Sequence, residues 1–287
     1  MDQKELQIWP QVLRRQSGMN RRQSSDYDEA YYKKLLYSQL ALDYCCSIEE
    51  VRNGENQYHE YVPLEGRRRF EEKENCFLKI LTFHNKLFFT GEPEIIQWCR
   101  DRYRGMEAAW FMEAPVMKEL NRRLACDGYE IAKIHPFFIS WEESEFDPGS
   151  ADWQVRYYRG AEIEQFRADD RFRKAFTFCP TAPDEIGVAA LDGKNILGMA
   201  GVSADSEKLW QIGIDVMKEA RGRKIGVGLV KLLKNEILRL GKLPYYGTAV
   251  SHNISQNIAF QAGFRPAWTE LITRRVPVTV NKGKDQG

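Results

Sequence analysis

Between a strand-like alternation from Leu209 to Val216 and a helix-like recurrence of Leu229, Leu232, Leu233, Ile237 and Leu240, the chain places Lys218-Glu219-Ala220-Arg221-Gly222-Arg223-Lys224-Ile225-Gly226-Val227-Gly228. A strand that passes through a glycine-rich turn straight into a helix points to an α/β architecture, because it sets the free N–H groups and the positive dipole end of that helix at the edge of a sheet. Glycine lets a ligand approach the backbone closely, and Arg221, Arg223 and Lys224 concentrate positive charge there. With 42 Lys plus Arg against 41 Asp plus Glu, a net charge of +1, that charge is a local feature. The same balance argues against nucleic acid or an anionic membrane as partner. The turn lacks Gly-x-x-x-x-Gly-Lys-Ser/Thr, and its glycines do not follow Gly-x-Gly-x-x-Gly, which disfavours a nucleotide triphosphatase and a dinucleotide enzyme.

The 287 residues suffice for two domains at about 150 residues each. Residues 1–25 and 277–287 read as loosely ordered tails. Residues 141–152, where Glu142, Glu143, Glu145, Asp147, Pro148, Gly149 and Ser150 crowd together, read as a linker between an N-terminal α/β domain (26–140) and a C-terminal domain (153–276). In the first half, Tyr31, Leu35, Leu36 and Leu40 suggest a helix. Phe77 to Leu81 and Leu87 to Phe89 suggest a hairpin turning at His84-Asn85. Helices are expected from Pro93 and through Val116, Leu120 and Leu124 as far as Gly128, then a strand from Tyr129 to Ile139. In the second half, Ile186 to Leu191 and Ile196 to Val202 form a hairpin around Asp192-Gly193. Leu209 to Val216 follows as a strand, the helix ends at Gly241, and Tyr245 to Ser251 is a strand. A short helix through Ile258, Ala259 and Ala262 stops at Gly263, and a last strand passes Trp268 and Leu271. Leu124-Ala125-Cys126-Asp127-Gly128-Tyr129 parallels Phe260-Gln261-Ala262-Gly263-Phe264, which reads as an eroded internal duplication.

The six cysteines lack metal spacing and are expected to be reduced and mostly buried thiols. No metal is expected. His59, His84 and His135 are isolated and receive no chemistry. Arg67-Arg68-Arg69 beside Glu71 and Glu72 reads as a solvated helix face. The chain shows no apolar run of about 18 residues, and Met1 to Glu5 lacks the apolar core of a secretory signal, so the expected location is cytoplasmic.

Val-x-x-x-x-Arg-Gly-x-x-Ile-Gly-x-x-Leu, held by Val216, Arg221, Gly222, Ile225, Gly226 and Leu229, resembles the acyl-coenzyme A loop of the GNAT superfamily of N-acetyltransferases. The helix ending in Ala262-Gly263-Phe264 resembles that superfamily's second signature, with Ser255 where relatives carry Ala or Ser and His252 where they carry Asn. The likeness covers about Trp153 to Arg275 and is nearest to a bacterial subgroup with a long N-terminal half. It implies a mixed α/β sheet: a C-terminal GNAT-like acyltransferase domain preceded by a smaller, duplicated and degenerate GNAT-like domain. Acetyl-CoA is the implied acyl donor. The main chain of Ile214, Asp215 and Val216 would meet the pantetheine arm. Arg221, Gly222, Arg223, Lys224, Ile225, Gly226 and Val227 would hold the pyrophosphate, and His252 and Asn253 would lie beside the cofactor. Lys224 stands where relatives carry the loop's first glycine; an alternative register, Arg223-x-x-Gly226-x-Gly228, puts Lys231 at a buried position. Ala259 stands where many relatives carry the Tyr that protonates the thiolate. His252 as base and Tyr246 as acid are the candidate catalytic residues. The implied reaction is direct transfer to a primary amine of a small-molecule or peptide acceptor within a ternary complex; the alternative is a non-catalytic acyl-CoA-binding sensor.

Overall fold

The computed structural model describes residues 27–68 and 76–276, so both expected tails lie outside it. Its ten strands are β1 Gln57–Glu60, β2 Leu78–Phe83, β3 Lys86–Gly91, β4 Tyr129–Ile139, β5 Gln154–Arg159, β6 Asp184–Asp192, β7 Asn195–Ser203, β8 Leu209–Val216, β9 Leu243–Gly247 and β10 Arg265–Arg275. The helices are α1 Glu29–Asp43, α2 Ile48–Asn53, α3 Pro93–Tyr103, α4 Ala114–Ala125, α5 Ile225–Arg239 and α6 Asn253–Gln261. All ten strands join one sheet in the order β1-β3-β2-β10-β4-β9-β8-β7-β6-β5.

Short-range chemistry sets most of these boundaries. His84 and Asn85, both at positive φ, make the two-residue turn between β2 and β3. Pro93 opens α3 at a position whose N–H would have no partner anyway. One boundary differs from expectation, and α2, β1 and β5 are elements not anticipated from the sequence. β9 ends at Gly247 rather than at Ser251: the Thr248 N–H still donates to the Pro136 carbonyl at 3.3 Å, but Pro136 has no N–H to return the bond. β5 was not anticipated, since Gln154 to Arg159 is rich in charge; it is an edge strand whose one neighbour is β6.

The last strand crosses the expected linker to the other half of the chain. β10 lies antiparallel to both β2 and β4, Leu271 opposing Ile80 on one side and Ile134 on the other. The segments 26–140 and 153–276 therefore share one sheet. Strand alternation sorts the helices between its faces. Phe138, Ile212 and Tyr246 pack under α5 and α6, and Ile80 and Ile134 of the same face pack under α3 and α4. On the opposite face, Phe83, Phe137, Ile139 and Tyr245 pack against α1. The segment 141–152, expected to be a linker, is docked on α5: Asn235 accepts from the Ser144 N–H at 3.0 Å and donates to the Ser144 carbonyl at 2.9 Å.

On the α1 face of the C-terminal half, three glycines stand in register across three strands, Gly187 opposite Gly201 and Gly201 opposite Gly213. The segment Lys174–Phe176 lies in the trench they leave. A Cβ on Gly201 or Gly213 would overlap the carbonyl oxygens of Ala175 or Lys174, and one on Gly187 would come to 2.7 Å from the Phe176 ring.

The basic run 67–69 is corrected. Arg68 is 4% exposed, and its guanidinium pairs with Asp43 at the end of α1 and with Glu270 on β10. Its N–H donates to Asp43 at 2.9 Å, and the Trp268 indole donates to Glu270 at 3.1 Å. Two carboxylates remote in sequence draw this arginine inside, which its local sequence does not encode. Arg69 lies outside the described residues. None of the six cysteines, all among the described residues, is in a disulfide, and only Cys76 and Cys99 are buried, fewer than expected.

Candidate functional site

β8 and β9 run parallel but pair only over Leu209↔Leu243, Trp210↔Pro244 and Gln211↔Tyr245. Beyond that point β8 continues to Val216 along β7, with Ile214 opposite Ala200, while β9 follows β4, with Gly247 opposite Phe137. The two strands part, and the edge of β8 from Ile212 to Val216 faces a wedge-shaped opening. β4 above Phe137 stands across it.

β8 runs through a 3-10 turn, Lys218–Ala220, into Arg221-Gly222-Arg223-Lys224 and then α5. The first bond within α5 is from the Gly228 N–H to the Lys224 carbonyl at 3.1 Å, which leaves the N–H groups of Ile225, Gly226 and Val227 ahead of the helical ladder. Lys224 is the N-cap in the left-handed region, φ 57° and ψ 13°, and its side chain is exposed. Gly222 has φ 84° with open space where a Cβ would stand. Arg221 is exposed, whereas the Arg223 guanidinium donates to the Asp152 carboxylate at 2.9 Å, so Arg223 offers a ligand chiefly its backbone.

The later glycines have packing reasons. A Cβ on Gly226 would meet Ile258 at 3.1 Å and Ile214 at 3.4 Å, and one on Gly228 would meet the Phe146 ring at 2.7 Å. A glutamate at 226 would therefore disturb the packing of α5 on α6 and β8 as well as any ligand, and Lys224 is the cleaner probe. Gly228 faces Phe146 and Trp153. A left-handed non-glycine residue costs about 1–2 kcal/mol, so Lys224→Gly is expected to raise the unfolding free energy by about 1 kcal/mol in denaturant titrations. If CoA binds at this turn, as the motif's resemblance implies, the effect of the variant on its affinity separates geometry from charge: tightening if the relaxed turn dominates, a few-fold weakening if the ammonium does, as for Lys224→Ala.

The start of α6 closes the third side. His252 is its N-cap residue, exposed, with an imidazole that makes no capping bond, and Asn253 is the first helical residue. Gln256 ties the preceding loop by donating to the Val250 carbonyl at 2.6 Å. Below, Tyr246 of β9 is buried, and its hydroxyl lies 2.8 Å from Ser255 Oγ on α6. Burial pushes the Tyr246 pKa up, against an opposing pull from the Ser255 bond. Ala259, one turn on, is fully buried beside it.

Asp215 differs from its neighbours in orientation. Its carboxylate accepts from the N–H groups of Lys174 and Ala175 at 2.8 and 3.0 Å, so its side chain fastens the segment in the glycine trench. Only its main chain faces the opening. Local sequence gave no sign of this clamp, nor of Lys234. That lysine is buried on α5, with its pKa lowered to about 8 by desolvation, and donates to Ser140 and Ser144; Ser144 in turn donates to the Ala262 carbonyl at the end of α6. A cavity of about 300 Å³ between the β2–β3 turn and β10, lined by Thr82, His84, Pro136 and Trp268 among others, shares no residue with the glycine-rich turn.

Parted parallel strands that lead onto the amino end of a basic, glycine-rich helix start form an opening whose shape and unbonded N–H groups suit an extended ligand with an anionic end. Residues 140–264 match the model of the acetyltransferase (GNAT) family. Similar solved structures include a GCN5-related N-acetyltransferase-like protein from Streptococcus suis 89/1591 (14% identity, 73% of this chain and 88% of that one, TM-score 0.43). An acetyltransferase of the GNAT family from Colwellia psychrerythraea is similar at 12% identity over 86% of this chain and 97% of that one, TM-score 0.40. A GCN5-related N-acetyltransferase from Kribbella flavida is similar at 16% identity over 55% and 63%, TM-score 0.38. No protein among the curated ones matches the sequence.

Proposed function

We propose that this chain is a cytoplasmic enzyme that moves an acetyl group from acetyl-CoA to a primary amine by direct attack in a ternary complex. The observation that carries the reading is the parting of β8 from β9 immediately ahead of the free N–H groups of α5. In this reading, main-chain groups of Ile214, Asp215 and Val216 bond the pantetheine arm. The backbone from Arg221 to Val227 holds the pyrophosphate, with Arg221 and Lys224 adding charge. Asn253 and His252 flank the same opening at the start of α6. His252, exposed to solvent, takes the ammonium proton so that the amine attacks in its neutral form, and Tyr246 returns a proton to the leaving sulfur. The position of β4 across the opening supports a role for the N-terminal half in shaping the acceptor site. The acceptor class is a small-molecule or peptide amine.

A second reading, an acyl-CoA sensor without turnover, draws on Ala259, which offers no hydroxyl from α6 itself. Both readings require donor binding. Acetyl-CoA at a hundred times its dissociation constant is expected to stabilise the fold by about 2.7 kcal/mol, read as a rise in melting temperature. No rise at millimolar ligand would remove both. Thiol release across a panel of amines separates the enzyme from the sensor.

A further inference from the structure

Tyr246 is the first residue of β9 beyond its last pair with β8, so it stands at the base of the opening, with its ring on the α6 side of the sheet beside Ile212 and Ala259. A side chain at position 259 of α6 would lean back over the preceding turn, toward Ser255. Ala259 has none to extend, and a phenol from the sheet meets Ser255 instead, at 2.8 Å. Both groups are nearly closed to solvent, at 2% and 8% exposure. Each hydroxyl carries one proton, and the contact between them uses only one of the two. Among the described residues neither oxygen has another hydrogen bond, and Ser255 does not turn back to the carbonyl one helical turn earlier, the usual outlet for a serine inside a helix. A buried donor without an acceptor is costly, and here it lies where the strands part.

We infer that Ser255 is a positioning residue for Tyr246, holding the phenol at the parting of β8 and β9 and re-supplying the proton that Tyr246 gives to the leaving sulfur. This rests on the acyl-transfer reading. As the amine nitrogen bonds to the acyl carbon, the C–S bond breaks and its electron pair stays on sulfur. The Tyr246 O–H proton bonds to that sulfur, the Ser255 O–H proton moves to the Tyr246 oxygen, and water at the mouth replaces it. The amine releases one proton to solvent, so the proton count closes.

The test uses the full chain and the conservative variants Tyr246→Phe, Ser255→Ala and Ser255→Thr. The thiol of bound CoA is titrated by its ultraviolet thiolate absorbance, and thiol release from acetyl-CoA is followed with the amine panel. One hydrogen bond to the thiolate corresponds to about one pKa unit, so Tyr246→Phe is expected to raise the pKa of the bound thiol by about that amount and Ser255→Ala by part of it. Tyr246→Phe should lower kcat by roughly a hundredfold and Ser255→Ala by roughly tenfold, with KM for acetyl-CoA held within about twofold and Ser255→Thr restoring the rate. Unchanged kcat and unchanged thiol pKa in Ser255→Ala would overturn the inference while leaving acyl transfer standing. If acetyl-CoA fails to stabilise the parent chain, the acyl-transfer reading fails first and this inference with it.

Discussion

Gly213→Ala is expected to lose about 3 kcal/mol of unfolding free energy, although it adds one methyl group to a half-buried strand. The added Cβ would overlap the carbonyl oxygen of Lys174, and that oxygen belongs to a segment with little room to retreat. The N–H groups of Lys174 and Ala175 are fastened to Asp215, two positions further along the same strand. Ala175 rests on Gly201 and Phe176 on Gly187, so displacement at one glycine is felt at all three. Chemical denaturation with Gly222→Ala as control measures it. Gly222, unlike Gly213, lies at positive φ, but nothing surrounds its missing side chain, so the control should lose only about 1 kcal/mol from backbone strain. A loss no larger at 213 than at 222 would show that the segment slides freely.

Glu270→Ala should cost about 3–5 kcal/mol. Glu270 and Asp43 share Arg68, and all three are almost fully closed to solvent. Removing one carboxylate leaves a guanidinium in a low-dielectric interior with half its compensation, beside the buried ammonium of Lys79, which already leans on the Asp43 carbonyl at 3.1 Å. Because the charges are shielded from solvent, the loss should persist at high salt, where an exposed pair such as Arg265 with Glu142 would be screened to nothing measurable. Replacing Arg68 by Met together with Asp43→Asn and Glu270→Gln should recover much of the loss, since it removes the charges in concert. Equal unfolding curves for Glu270→Ala and the parent would mean that water reaches Arg68.

What could be read from the sequence follows the range of the interactions involved. The hairpin at His84-Asn85, the helix opening at Pro93, the strand from Leu209 to Val216 and the helix stops at Gly241 and Gly263 all rest on contacts within a few residues, and each is found where the pattern put it. The glycine-rich turn between β8 and α5 was legible for the same reason, whereas the left-handed backbone at Lys224 was not read in advance. Arg68 is the counterexample. Its neighbours in sequence are charged and suggest solvent, while its partners lie 25 and 202 residues away. Asp215 was read for its backbone alone, since nothing nearby says that its carboxylate reaches back 40 residues to hold a separate segment. The contact between Tyr246 and Ser255 was equally hidden, because it needs β9 and α6 stacked before the two hydroxyls meet.

The position of β10 in the sheet also governs how the chain can be made. During synthesis β2 and β4 emerge long before the strand that separates them, and until residues 265–275 leave the ribosome each presents an open row of peptide groups. Phe83, Phe137 and Arg68 wait with them, without Trp268 or Glu270 to cover or neutralise them. Until then the first half carries two unpaired strand edges of the kind that pair with other chains. Loss of the final strand, by premature termination or proteolysis, would release an adhesive fragment instead of a smaller working protein.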